Sequence, residues 1–480
     1  MAGRLLALSD PGGVRPVAAR WTISGKMILE SAAHLGAGAG DAADMVLLRD
    51  ARTGGPLLPG TSITGALRSH LADVLGSYRS TEDAAVARLF GGSRGDDLGA
   101  QSPLIVFDSV GRLPGDHAIE IRDGVQIDAA RGTAEDHKKF DLEVLPAGTS
   151  FPIRFDLVVP KLEDESELVS HLVVALSGLS CGDIALGARR SRGLGAVRAS
   201  NWRTVRYDLT SGEGWMTWLL SDWKVPLADG ANGTADVREA CERAHVGLSL
   251  AGVQDRRRRL VVVAEISLIG GLLVRSAPTG PDAPDAAHLR SAGRSVLPGT
   301  AVAGVLRNQA LRIARIARDG KDDAERRVDH LFGPRMAGVT ATGTPSPCAS
   351  RLRLSESVVE QGTRSRPSRV RIDRFTQGVM PGALFDEEPE HGGRVRLRIE
   401  LREPEPGELG LLLLVVKDLL SGEIAVGGTS AVGRGRFKGT AALTLEDGQT
   451  VNLDPANPPD PIIDQAIGAL WSSPVPGGAA

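Results

Sequence analysis

Two stretches of this chain place residues where they could act on a ligand. Asp44 stands five residues before Arg49, and Asp285 five residues before Arg290. Each pair leads into a Leu-Pro-Gly-Thr turn, Leu58 to Thr61 and Leu297 to Thr300. A carboxylate in such a loop can hold a divalent cation or orient a hydroxyl, although a lone loop aspartate is more often surface decoration. No second carboxylate stands at metal-pair spacing, and no Ser-His-Asp or Cys-His set is recognisable. The Pro-Gly turn opens a helix whose first backbone N–H groups lack partners, a natural seat for phosphate. Thr61, Ser62 or Thr300 can cap that helix, which carries Arg68 in one case and Arg307 in the other. A packing turn shared by descent is the plainer alternative.

A third feature is the run Gly187-Ala188-Arg189-Arg190-Ser191-Arg192-Gly193-Leu194-Gly195, which aligns with Gly427 through Gly435. Glycines let a backbone come close to a ligand. Arg189, Arg190, Arg192, Arg434 and Arg436 supply planar forks for phosphate. The glycines follow a helix and precede a strand, so a dinucleotide-binding fingerprint fits poorly. A tight turn with solvated arginines is the bland alternative. His34, at the mouth of His34-Leu35-Gly36-Ala37-Gly38, could be an acid or base. It has no match in the other half, which favours a structural or ligand-contacting role.

These matches belong to a wider repeat. Leu89-Phe90-Gly91 returns as Leu331-Phe332-Gly333, and Gly182 to Gly187 returns as Gly422 to Gly427, each time about 240 residues on. One domain has therefore been duplicated and fused. A duplicated site suits a ligand that repeats along its own length, and a polymer meets that description.

Composition narrows the choice. A chain of 480 residues can hold two or three domains with separate cores. The net charge of −3 makes the whole molecule no magnet for nucleic acid, yet arginine gathers at 189–198, 256–259, 364–374 and 434–436. Aromatic residues are only 4% of the chain, which argues against a sheet that reads bases by stacking. Bound RNA would be gripped by its backbone. Cys181, Cys241 and Cys348 fit neither a disulfide framework nor a zinc pattern, pointing to a reducing cytoplasm. No apolar stretch reaches membrane-spanning length and no signal-peptide core opens the sequence, so no membrane is expected.

The elements that must position these residues recur in one order. Val17 to Leu29 and Arg259 to Leu268 read as first strands. Helices are expected over Ile63 to Tyr78 and Val302 to Ala317, and again over Ser166 to Leu179 and Glu408 to Leu420. Between them lie charged, turn-rich segments, Pro114 to Thr149 and Glu360 to Gly393, expected to project as hairpin arms. The order β-loop-α-β-arm-β-α-β predicts an α+β protein with two ferredoxin-like, split βαβ (RRM-like) domains in tandem. The expected limits are 1–209 and 256–446, with a linker of some local helix at 210–255 and a tail at 447–480, poorly ordered at its end.

Taken together, His34 to Gly38, Asp44 to Asp50, Pro59 to Ser62 with Gly65 and Arg68, and Gly187 to Gly195 resemble the RAMP superfamily of CRISPR effector complexes. They are most similar to the repeating backbone subunit of type III complexes. Arg371 to Thr376 and Gly382 to Phe385 look like that subunit's thumb. The resemblance implies a protein that assembles along a CRISPR RNA guide, binds complementary target RNA and cuts it beside nucleotides displaced by the thumbs. It implies Asp44, and more loosely Asp285, as the catalytic residues, with Mg²⁺ or another divalent cation as a possible cofactor at Asp44. It implies RNA contacts by His34, Gly36, Arg49, Thr61, Ser62, Arg68, Arg189, Arg190, Arg192, Gly193 and Gly195 in the first copy. In the second copy they are Arg290, Thr300, Arg307, Arg374, Gly433, Arg434, Gly435 and Arg436. Implied partners are further RAMP backbone subunits, a small helical subunit and a large polymerase-like subunit. Thr64 and Ala303 stand where the family often has lysine, and Val432 stands where the first copy has Arg192. A non-cutting scaffold with the same fold is the main rival. A guide-processing nuclease would need a histidine near the glycine-rich loop, which neither copy has.

Overall fold

The computed structural model of the chain describes residues 16–38, 43–78, 81–92, 100–128, 131–221, 233–245, 252–276, 282–317, 321–334 and 348–472. Each copy is built around one antiparallel sheet. In the first, Val17–Leu29 lies between Ser150–Pro160 and Val197–Asp208, and Leu104–Val106 forms the far edge. In the second, Arg259–Ile269 lies between Arg394–Arg402 and Arg436–Thr444, and Leu352–Leu354 forms the equivalent edge. Numbered within a copy, the strand order is fourth, first, third, second. With helices Gly60–Gly76 and Glu165–Ser180 in one copy, and Gly299–Ala317 and Glu408–Leu420 in the other, this is the ferredoxin-like arrangement twice over.

The sequence period explains the elements. Ala19, Trp21, Ile23, Met27 and Leu29 are buried on one face of the first strand, at a spacing of two. Leu168, Leu172, Leu176 and Leu179 are buried along Glu165–Ser180 at helical spacing. The two helices after the Pro-Gly turns begin three residues earlier than expected, at Gly60 and Gly299. Their caps differ from expectation too. Pro59 occupies the first cap position with no side-chain bond, and the Gly60 N–H donates to Asp108 Oδ1 at 2.7 Å. An aspartate 48 residues away thus takes a place expected of Thr61 or Ser62, both of which are exposed.

Both expected arms are present. Glu120–Ile127 pairs with Ala134–Val144, and Ser368–Ile372 pairs with Val379–Glu388. Each shows apolar side chains to solvent: Ile121, Val125 and Ile127 in one, Ile372, Val379 and Leu384 in the other. At the turn of the second arm Phe375 is 81% exposed, with Arg374 stacked on its ring at 4.6 Å.

The linker and tail do more than expected. Residues 222–232, 246–251 and 473–480 lie outside the described range. Of the rest, Gly212–Leu220 and Val237–Ala244 are helices, and the second sends Val237, Ala240 and Cys241 into the first core. Thr450–Leu453 adds a fifth strand beside Arg436–Thr444, and Pro461–Ser472 buries Ile463 and Leu470 in the second core. Apolar residues seven apart were the signal, hidden by the prolines before them. Among the described residues no helix is long and apolar enough to cross a membrane.

The copies meet head to tail. The turn Arg190–Arg192 of the first lies on the outer edge of the second, where Arg192 Nη2 donates to Phe332 O at 2.9 Å. Arg122 pairs with Glu356 at 2.5 Å. Asp183 faces Arg257 and Arg259 at 2.8 and 3.0 Å. Burial pushes the Asp183 carboxyl up, but the two guanidiniums outweigh it and hold it at about 2.

Candidate nucleic-acid interface

The two aspartates singled out by sequence occupy the same place in their copies. Asp44 Oδ2 accepts the backbone N–H of Asp141 at 2.9 Å, and Asp285 Oδ2 accepts that of Asp386 at 2.8 Å. Asp141 and Asp386 lie on the returning strands of the two arms. Two residues further along those strands, Glu143 pairs with Arg49 at 3.3 Å and Glu388 pairs with Arg290. The aspartate-to-arginine interval of five is thus a clamp: one stretch grips one arm strand at two points. Both aspartates are exposed.

The surroundings differ. In the first copy Asp141 stands directly across the arm from Asp123. A hydrogen bond to Asp123 and repulsion from Asp123 and Asp44 hold the Asp141 carboxyl above the usual range. Lys139 Nζ, 3.4 Å from Asp123 and 3.9 Å from Asp141, offsets part of that repulsion. Sequence spacing hid this trio, because Asp123 and Asp141 reach Asp44 only when the arm folds back. Asp44 is exposed and offers an oxygen suited to a hard divalent cation such as Mg²⁺, whereas Asp141 Oδ1 is buried and the three carboxylates do not converge as one ligand group, so the implied ion would rest on Asp44. In the second copy Ser368 faces Asp386, and Arg366 pairs with it at 3.1 Å. The Ser368 hydrogen bond first, then Arg366, hold that carboxyl below its usual range. Among the described residues the one group that brings three candidate ligand atoms together, His330, Glu405 and Glu408, has a cation already: Arg351 bonds both His330 Nδ1 and Glu408.

The expected RNA-contacting residues fall into three sets. Gly36, Thr61, Ser62, Arg190, Thr300, Arg374, Gly433 and Arg436 are exposed. Arg436 also donates to Gly422 O. Arg49, Arg68, Arg290 and Arg307 are tied to carboxylates, Arg68 to Glu82 at 2.5 Å and Arg307 to Asp329. The rest are turned inward, which corrects the surface reading. His34 is 1% exposed, and its Nδ1 lies 2.7 Å from Glu143 O, so the ring braces the arm. Gly193 and Gly195 are buried, and Arg189 lies over the Phe140 ring at 4.3 Å. Arg434 is buried against Glu387 at 2.8 Å. Arg192 belongs to the joint between the copies, where burial and then the nearby Arg307 pull its pKa down to about 10. An exposed guanidinium and one that donates to a helix-terminal carbonyl look alike in sequence, so nothing local marked Arg192 as internal.

At the phosphate seats protein already lies close to the leading glycine. Asp108 takes the Gly60 N–H, and at Gly299 an added Cβ would overlap the Arg192 carbonyl oxygen. Both turns thus pack against protein at their glycines, while Thr61, Ser62 and Thr300 beside them stay exposed.

A family model of the RAMP superfamily matches residues 26–198 and, a second time, residues 265–438. No curated protein matches the chain. Each matched span begins within the first strand and ends near the start of the last core strand of one sheet, so it takes in most of one folded copy and leaves parts of those two strands outside. The chain belongs to the RAMP superfamily and carries its ferredoxin-like domain twice.

Proposed function

We propose that this chain is a tandem backbone subunit of a type III CRISPR ribonucleoprotein, holding the guide RNA along both copies and cutting complementary target RNA beside nucleotides displaced by the two arms. One observation carries the reading. Each copy fixes an exposed aspartate to the base of a projecting, apolar-faced arm through the arm's own backbone N–H. Wedge and carboxylate are thereby held in one rigid relation. Within a duplex the 2′-oxygen is poorly aligned for attack on the neighbouring phosphorus, and splaying a nucleotide frees that linkage for in-line geometry. The aspartate orients the 2′-hydroxyl or takes its proton. The 2′-oxygen bonds to phosphorus, the bond to the 5′-oxygen breaks, and that oxygen leaves with a proton. Mg²⁺, if held at Asp44, would supply charge neutralisation at the phosphate. Guide pairing supplies sequence choice, which agrees with so few aromatics.

The assembled complex, given labelled complementary RNA and Mg²⁺, is expected to yield two cuts with 5′-hydroxyl ends. Asp44→Ala and Asp285→Ala should each erase one cut by about 10²–10⁴-fold, the range for a positioned acid or base, with target binding retained. Uncut target with the native chain would end the enzymatic reading. The scaffold alternative draws on the same hydrogen bond, because an aspartate that pins an arm has a structural use without any chemistry.

A further inference from the structure

A cleft of about 630 Å³ opens at the foot of the second arm, lined by residues 293–295, 358–362, 364 and 390. One carboxylate is sunk into its wall. Glu390 is 4% exposed, and its Oε2 accepts the Ser295 hydroxyl at 2.5 Å. Its Oε1 has no hydrogen-bond partner among the described residues. Gly362 keeps that oxygen clear, because a Cβ there would lie 2.3 Å from it. An ionised carboxylate has about four acceptor positions, so Glu390 is buried with most of its acceptor capacity unused, which is costly unless something else fills it.

The first copy does not repeat the arrangement. Glu388 matches Glu143, so Glu390 stands where that copy has Leu145, which is fully buried in its core. Ser295 stands where it has Pro56. Gly111 of the first copy packs under the Phe151 ring, and the second copy has Val359 and Val395 at those places. Acceptor, hydroxyl and space have thus changed together. A brace between strands would need neither the open oxygen nor the open space beside it. The turn at Gly293 is also held from the other copy, where the Ala292 N–H donates to Glu120 Oε1 at 2.8 Å, so the cleft is formed before any ligand arrives.

The rim sets the other end of the ligand. Arg294 is exposed and pairs with no carboxylate among the described residues. Arg364 donates to the Gly293 carbonyl at 2.9 Å and lies 3.8 Å from Glu390 Oε2. Glu360 is exposed at the same rim. Two guanidiniums at the mouth oppose a polyamine or an arginine side chain and suit a donor edge that carries an anionic tail, as in a nucleotide. Among the bases guanine alone offers adjacent parallel donors, N1–H and N2–H. Glu390 Oε1 can take one, and the remaining lone pair of Oε2 the other. Adenine and cytosine set an acceptor beside their amine, and uracil flanks its N–H with carbonyls, so each would turn a lone pair toward the carboxylate.

We propose that this cleft binds a guanine nucleotide, with the base edge on Glu390 and the phosphate on Arg294 and Arg364. A free nucleotide and a guanosine within single-stranded RNA present the same groups to it. The site stands whether or not the chain cuts RNA.

Calorimetric titration of the RNA-free full chain with GMP and AMP tests this. GMP is expected to bind about 10- to 100-fold more tightly than AMP, the discrimination of a bidentate base contact. IMP, which lacks the N2 amine, should bind about tenfold more weakly than GMP, the loss of one hydrogen bond to a charged group. Glu390→Gln, of equal size, and Gly362→Ala, which sets a methyl against Oε1, should each erase the preference for GMP while keeping native unfolding curves. Arg294→Ala should weaken GMP about tenfold and leave guanosine unchanged, a split that a merely structural role would not give. Short polyuridine strands carrying a single guanosine or a single adenosine separate the sources. Preference for the guanosine strand brings RNA into the cleft, and preference confined to free GMP assigns the cleft to the nucleotide. Equal binding of GMP and AMP together with equal binding of the two strands would overturn the proposal. So would spermine binding more tightly than GMP, or a folded Glu390→Gln variant that keeps the full preference.

Discussion

The arm of the first copy and the arm of the second rest on the same backbone geometry but on opposite chemistry. In the first, Leu142 and Leu194 meet in a small apolar cluster with Ala32 and Val144. In the second, the equivalent residues are Glu387 and Arg434, a buried ion pair. Two histidines have traded places as well. The first copy has His34 facing the strand of Leu47, and the second has Leu273 with His288 at those positions, each histidine buried. What did not change is the hydrogen bond from the arm to Asp44 or Asp285, and the arginine-glutamate pair beside it. Packing around the arm base was thus free to diverge in compensating pairs, while the clamp on the arm was not.

The largest test of that comparison removes half of the ion pair. Arg434→Leu leaves Glu387 charged and buried with only the more exposed Arg369 at 3.5 Å, and should cost up to about 3–5 kcal/mol in denaturant unfolding. Adding Glu387→Leu rebuilds the first copy's apolar contact and is expected to recover the whole loss. A double variant as unstable as the single would show that the copies do not share this packing.

The exchanged histidine gives the next effect. Burial first, then Arg290, holds His288 at about 4. His70, on the helix Gly60–Gly76, is also lowered to about 4, by burial and then by Arg257. The ordinary value is 6.5, so as pH falls the unfolded chain takes up these protons before the folded one. Stability present above pH 6.5 should therefore drain away between 6.5 and 4, by about 1.4 kcal/mol per pH unit for each histidine. His288→Leu, which copies Leu47, should remove one such contribution from the slope measured by urea unfolding across that range. An unchanged slope would place His288 in contact with water.

A smaller effect separates the two carboxylate sites. Arg366 pairs closely with Asp386 at 3.1 Å, whereas in the first copy Lys139 lies 3.9 Å from Asp141 and a second aspartate, Asp123, faces it. Arg366→Ser should lower the Mg²⁺ needed for half-maximal cutting at the second site about two- to fivefold, the effect of one exposed pair, and leave the first site unchanged. Equal Mg²⁺ curves before and after would remove metal from the difference between the sites. The smallest change is expected from Arg49→Ala. Its guanidinium is half exposed, and the buried Glu143 keeps the Leu47 N–H, so the pair should contribute no more than about 1 kcal/mol to stability.

Much of this was legible in the residues themselves. The repeat fixed the number of domains, and alternation in Val17–Leu29 and helical spacing in Glu408–Leu420 fixed their class, because a buried face imposes its period on the chain. The equal interval from Asp44 to Arg49 and from Asp285 to Arg290 already contained the clamp, since both ends grip one strand of one arm. The tertiary structure alone decided who faces whom. Asp123 and Asp141 come to Asp44 only when the arm turns back, Arg192 finds its carbonyl only when the copies dock, and Glu387 finds Arg434 across 47 residues of chain. Local sequence sets each residue's conformation, but whether a charge meets water, a partner or another charge depends on what the folded chain brings within a few ångströms of it.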